Sequence, residues 1–252
     1  MAANPYLLTL FGGSGAAPTA SLSSADTVAL YNQSLKNAGK ETERLRADPT
    51  VKRDLASLFK AVDKARTPED LLRNPEARRV LLQGIGLADQ VDNAGLAIKA
   101  LTSDPSKATS LTKQLSDQRW SAAAVQLDFT ASGLKKLKDP AFRQVISDGL
   151  VEYKRLSAIS EKSRVVSDAL TIQGLSDTKT DIYTVLGNKV MRRVATTIAG
   201  LPDELALQSV EAQARSLSAR FNVDQFSDPK KREKVIQRYL ITASNSGLSF
   251  TA

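Results

Sequence analysis

The chain has 252 residues, enough to bury one large core or two smaller ones. Hydrophobic residues make up 42% and charged residues 25%, an ordinary globular balance, while aromatics reach only 5%, so the core must come mainly from Leu, Val, Ile and Ala. The absence of Cys and His excludes disulfides, thiolate and imidazole metal sites, and Ser-His or Cys-His catalytic pairs; the net charge of +8, with a pI near 9.6, raises anionic partners.

Residues 1–25 carry no charge and are rich in Ser, Ala and Gly. They read as a flexible leader with one apolar cluster, Tyr6, Leu7, Leu8, Leu10 and Phe11, which is a candidate docking segment. No Lys or Arg precedes the cluster and Gly12-Gly13 ends it, so it does not read as a secretory signal. No stretch approaches the roughly 20 apolar residues of a membrane span. "GGSG" has neither the Lys nor the preceding strand of a phosphate loop, and Ser14 has no His to activate it.

From Asp26 onward the pattern is helical. Val51, Leu55, Leu58, Phe59 and Val62 recur at helix spacing, as do Phe142, Val145, Ile146, Leu150 and Tyr153, while apolar-polar alternation never persists long enough for a strand. Asp or Asn followed by Pro recurs at Asp48-Pro49, Asn74-Pro75, Asp104-Pro105, Asp139-Pro140 and Asp228-Pro229. A side-chain oxygen at the N-cap accepts an orphan N–H, and Pro at the first helical position loses no bond. N-caps are expected at Asp48, Asn74, Asp139 and Asp228. Four residues after the Asp or Asn stands a cation in four cases: Lys52, Arg78, Arg143 and Arg232. Seven residues after it stands an apolar residue: Leu55, Leu81, Leu111, Ile146 or Val235.

Gly-Leu-x-Asp forms a second signal, at residues 86–89, 174–177 and 200–203. Glycine ends a helix in the left-handed conformation, Leu folds back on the last turn, and Asp is expected to cap the next helix. The unequal spacing of these signals argues against a solenoid. The expected fold is all-α, an irregular bundle of helical hairpins with roughly nine to eleven helices. A soft division at Lys135–Asp139 separates an N-terminal half, 26–134, from a C-terminal half, 135–243, unless 26–243 is one continuous domain; 244–252 reads as a tail.

Little in the chain suggests catalysis. Asp89, Asp92 and Asn93 lack the ligand spacing of a calcium loop and read as turn or cap residues. Glu69 and Asp70 suit the first turn of a helix. Glu41 and Glu43 read as surface ion-pair partners, and Trp120 as a core anchor. No catalytic, metal or cofactor residue is assigned, and no enzyme activity is expected. In "FSDPKKREKVIQRYL" a helical wheel puts Lys230, Lys231, Lys234 and Arg238 on one face and Val235, Ile236, Tyr239 and Leu240 on the other. The first four form either a solvated face or a docking surface for an acidic protein. Nucleic acid is the weaker alternative, because no aromatic interleaves with the cations.

Four stretches, "DPTVKRDLASLFKAVDKARTPEDLL", "LSDQRWSAAAVQLDF", "DIYTVLGNKVMRRVATTIAGLP" and "FSDPKKREKVIQRYL", resemble an uncharacterised all-helical domain family of alphaproteobacteria whose genes often stand among flagellar genes. That resemblance supplies no catalytic residues. It implies a flagellar setting: a non-enzymatic interaction protein in flagellar assembly, structure or regulation, with a flagellar protein as partner. It would be flagellum-associated, and either cytoplasmic or exported through the flagellar apparatus by way of the leader.

Overall fold

The computed structural model describes residues 22–177 and 179–245. Of these, 77% are helical and none lies in a strand, the all-α fold expected from the periodicity. The helices are α1 (Ser24–Ala47), α2 (Pro49–Lys64), α3 (Pro68–Arg73), α4 (Pro75–Gly84), α5 (Ala94–Leu101), α6 (Leu111–Gln114), α7 (Arg119–Leu127) and α8 (Phe129–Ser132). They continue with α9 (Lys135–Lys138), α10 (Pro140–Lys162), α11 (Arg164–Gln173), α12 (Ile182–Gly187), α13 (Lys189–Ile198), α14 (Val210–Ser218) and α15 (Pro229–Asn245). Ten have seven or more residues. Short 3₁₀ turns occupy Ala88–Gln90, Asp203–Leu207 and Val223–Phe226. Helix α1 takes in the last residues assigned to the leader, because Ser23 accepts the Asp26 N–H and starts it at Ser24.

All four expected N-caps form. Asp48 accepts the N–H groups of Thr50 and Val51, Asn74 that of Ala77, Asp139 that of Ala141, and Asp228 those of Lys230 and Lys231. Asp104 accepts the Ser106 N–H in a turn, and no helix follows until Leu111.

Three of the four cations that stand four residues after these caps reveal a corner device. Arg78 Nη1 donates to the Leu72 carbonyl at 2.9 Å, Arg143 Nε to that of Leu137 at 2.8 Å, and Arg232 Nη1 to that of Phe226 at 2.9 Å. A fourth corner lacks Pro: Asn188 caps α13 and Arg192 Nη1 reaches the Leu186 carbonyl at 3.4 Å. In each case a short helix or 3₁₀ turn carries a buried apolar residue at its last or next-to-last position, Leu72, Leu137, Leu186 or Phe226. Its carbonyl has no intrahelical partner, and the arginine of the next helix supplies one. The order short helix, capped helix, left-handed Gly-Leu and 3₁₀ turn then occurs twice. It runs from α3 to Gln90 and from α12 to Leu207, with Gly86 at φ +80° and Gly200 at φ +60°.

Two apolar clusters result. The first gathers Val51, Leu58, Leu81, Leu101, Trp120, Leu127 and Ile146; the second gathers Tyr31, Val166, Val194, Leu217, Phe226, Ile236 and Tyr239. Trp120 is 2% exposed, an anchor of the first core. Helix α10 serves both, giving Leu150 and Val151 to the first and Leu156 and Ile159 to the second, and α1 does the same through Leu45 and Tyr31. The clusters therefore change over inside α10, whereas the division expected from sequence stood at 135–139. Helices α4 and α10 approach closely at Gly84 and Gly149, where a Cβ on Gly149 would overlap the Gly84 carbonyl oxygen. Val145 departs from the expected apolar face and is 47% exposed.

Candidate functional site

Helix α15 owes its orientation to the Asp228 cap and the buried Arg232 beside it. Arg232 donates through Nη1 to Phe226 and through Nη2 to Asp177 at 2.9 Å. Val235, Ile236, Tyr239 and Leu240 then point into the second core, and Lys230, Lys231, Lys234 and Arg238 are all exposed. At about 100° per residue these four fall in one arc with Ile241, which is half exposed. Lys231 stands 3.8 Å from its own cap, Asp228; among the described residues no carboxylate pairs with Lys230, Lys234 or Arg238. The Asp228 carboxyl is held below the usual range chiefly by the backbone N–H of Lys231, which outweighs the opposing effect of burial. The other predicted site residues, Tyr6, Leu7, Leu8, Leu10 and Phe11, lie outside the described residues.

A second feature escaped the sequence reading. A cleft of about 620 Å³ opens where the two cores meet, walled by α10, α11, the start of α13 and the turn from Gly86 to Asp89. Its carboxylates, Asp89, Glu152 and Asp168, are all engaged by arginines of the same chain. Arg119 uses every N–H of its guanidinium: Nε and Nη2 donate to Asp117, Nη1 to the Gly86 carbonyl and Asp89, and Nη2 also to Asp89. On the opposite wall Asp168, 3% exposed, accepts from Arg193 Nε at 2.6 Å, from Arg193 Nη2, and from the Tyr239 hydroxyl at 2.8 Å. Glu152 is held by Arg155 at 2.7 Å.

The electrostatics follow from these contacts. Burial alone would raise the Asp89 carboxyl, but the hydrogen bonds and charge of Arg119 outweigh it and hold Asp89 below the ordinary range. Burial works against the charge on Arg119 and on Arg193 as well, and their carboxylate partners more than offset it, raising both. Tyr239 is pushed well up, first by burial and then by the Asp168 charge. A general acid or base for neutral pH needs a pKa moved toward 7; these four groups have moved away from it.

One expectation is corrected here and another is sharpened. The aspartates of Gly-Leu-x-Asp do not cap the next helix. Asp89 and Asp177 instead receive Arg119 and Arg232 from residues 30 and 55 positions along the chain, and no side-chain cap forms at Asp203. Glu41 forms the expected ion pair, but with the buried Arg155 at 3.9 Å, and its side chain is part-exposed at 33%. The fourth Asx–Arg corner, "LGNKVMR", did carry a sequence signal, the arginine four residues after Asn188. The distant partners of Arg119, Gly86 and Asp89, carried none, because nothing local marks a contact across 30 residues or more.

This arrangement defines a helical scaffold whose internal charges are matched and whose last helix presents an unmatched cationic face. Residues 84–231, more than half of the chain, match the family described as Protein of unknown function (DUF1217), and the chain belongs to that family. The match includes Asp89, Arg119, Glu152, Asp168 and Arg193 of the cleft and Lys230 and Lys231, but not Lys234, Arg238 or Tyr239. The X-ray crystal structure of protein AGR_C_984 from Agrobacterium tumefaciens resembles this fold with a TM-score of 0.74, covering 90% of this chain and 96% of that one at 21% identity. At that identity the likeness is one of fold. No curated protein matches the chain. Among the described residues no helix is long and apolar enough to cross a membrane, and no cluster of acidic side chains is placed to hold a metal ion.

Proposed function

We propose that this protein is a non-enzymatic helical interaction protein serving the bacterial flagellum, in its assembly, structure or regulation. The contrast in charge engagement carries the interaction reading. Carboxylates lining the cleft are bound by arginines of the same chain, whereas Lys230, Lys234 and Arg238 share one solvent-facing arc of α15 without carboxylate partners among the described residues. Cations so placed keep their charge for an external acidic surface. The flagellar setting is supported by the resemblance of the four quoted stretches to a family whose genes often accompany flagellar genes. The expected site of action is the flagellum or the cytoplasm beside it.

The test is deletion of the gene, followed by complementation with the wild type and with the triple variant K230E/K234E/R238E. Loss of swimming or of filaments on deletion, restored by the wild type and not by the variant, is expected. Normal motility with normal filament number after deletion would overturn the reading. Because a pI near 9.6 and the same arc also suit phosphates, the second reading is a nucleic-acid-binding regulator. Phosphate contacts release counterions, so that reading requires affinity for duplex or single strand that falls steeply with salt.

A further inference from the structure

The surface of the second half carries two patches of opposite character. One is the arc on α15, which runs from Lys230 through Lys234 and Arg238 to Ile241, about 17 Å along the helix. Its one apolar member, Ile241, is 50% exposed. The other is a shoulder made by the 3₁₀ turn Asp203–Leu207 and the first turn of α14. Asp203, Glu204 and Glu211 are exposed there, and residues 200–214 contain no Lys or Arg. Between the acids stand Leu207, 87% exposed, and Val210, 46% exposed. Leu207 is the most exposed large apolar side chain among the described residues. Lys189 and Arg192 share a small pocket with Asp203, so Glu204 and Glu211 supply most of the unmatched negative charge. Within one chain no ion pair joins the arc to the shoulder, among the described residues.

We propose that the acidic surface docking on α15 is the shoulder of a second copy of this chain. The proposal rests on the reading of α15 as a protein-docking face and names the partner of that face. Each patch offers what the other lacks. Lys230, Lys234 and Arg238 meet Glu204 and Glu211, while Ile241 meets Leu207 and Val210, removing the exposed apolar groups from water. A phosphate backbone would match the cations and leave Ile241 without a counterpart. Two different patches are joined, so the contact either closes reciprocally as a dimer or continues head to tail.

Sedimentation of the full chain in low salt tests this, with two charge-reversed variants, K234E/R238E and E204K/E211K. The wild type is expected to self-associate in a concentration-dependent way. The association should weaken between about 0.1 and 1 M salt, as the screening length falls from about 10 to about 3 Å. Each variant alone is expected to associate roughly ten-fold or more weakly. An equimolar mixture of the two should recover association, because each reversed patch then finds an opposite one. All four positions are exposed, and circular dichroism checks that the helices remain; should a reversal unfold the chain, the neutral pairs K234Q/R238Q and E204Q/E211Q replace it. A wild-type chain that stays monomeric at its highest soluble concentration overturns the proposal, as does a mixture that behaves like its separate components. Duplex DNA binding abolished by K234E/R238E, in a chain that does not self-associate, would give the arc to phosphate instead. If the chain is monomeric while the α15 triple variant still fails to restore swimming, the second copy is excluded and the docking reading survives.

Discussion

The cleft between the two cores and the outer arc of α15 are both rich in arginine and lysine, and they use them in opposite ways. Arg119 and Arg193 are part-buried and engaged by carboxylates of their own chain, whereas Lys230, Lys234 and Arg238 stand in solvent. A cation's neighbours, not its residue type, decide whether it orders the fold or faces a partner. The same contrast runs through one helix: Arg232 on α15 is buried and closes a corner, while Lys234, two residues on, is exposed. Net charge alone conceals this division.

The comparison breaks most sharply at Arg119. Arg119→Ala leaves Asp89 and Asp117 part-buried without a counter-charge and should cost about 3 kcal/mol in chemical denaturation. Arg119→Lys should recover little, because a point charge cannot serve two carboxylates and a carbonyl at once. A loss within about 0.5 kcal/mol for the alanine variant would mean that the clamp contributes no more than a surface pair. Next in size is Tyr239→Phe, which removes one of three donors to a buried carboxylate and should cost about 1.5 kcal/mol. An unchanged midpoint would show that Arg193 alone satisfies Asp168.

Smaller again is the response to pH. Asp89 and Asp54 have depressed carboxyl pKa values in the folded chain: burial opposes the charge at each, and Arg119, or Arg79 with Lys154, outweighs it. Their contribution is fully present above the unfolded value of about 4 and is lost as pH falls from there through the folded values. Tyr239 is raised, so its contribution is present below about 10 and is lost as pH climbs through the folded value. With no His in the chain, stability measured by thermal melts should be flat between about pH 5 and 8. A clear slope in that window would contradict these assignments. The least effect belongs to the arc: Lys234→Ala and Arg238→Ala should shift stability by no more than about 0.5 kcal/mol. A larger loss in either would mean that the arc contributes to the fold and is not simply solvent-facing.

What could be read from sequence was what is decided locally. Asp48, Asn74, Asp139 and Asp228 cap helices because a cap needs only the N–H groups two or three residues ahead, and Pro fixes the first turn. The two faces of α15 were legible for the same reason, since burial follows the 3.6-residue period. Asp104-Pro105 shows the limit: the cap geometry forms, but "SKATS" supplies no apolar face to carry a helix onward. Asp89 and Asp177 of Gly-Leu-x-Asp depart from the expected cap because their donors come from distant parts of the chain. The cleft was invisible for a similar reason. Its walls come together only because α10 is common to both cores, and no local pattern encodes that.

That shared helix has a consequence for how the molecule comes apart. With Leu150 and Val151 in one core and Leu156 and Ile159 in the other, neither core can open along α10 without stripping apolar cover from its neighbour. Helix α1 adds a second tie of the same kind. The two cores should therefore melt as one cooperative unit despite their separate contents. Amide protons in the middle of α10 should exchange with solvent only through global opening, and so be among the slowest in the chain. Those of the short α6 and α8, each a single turn long, should exchange through local fraying, orders of magnitude sooner.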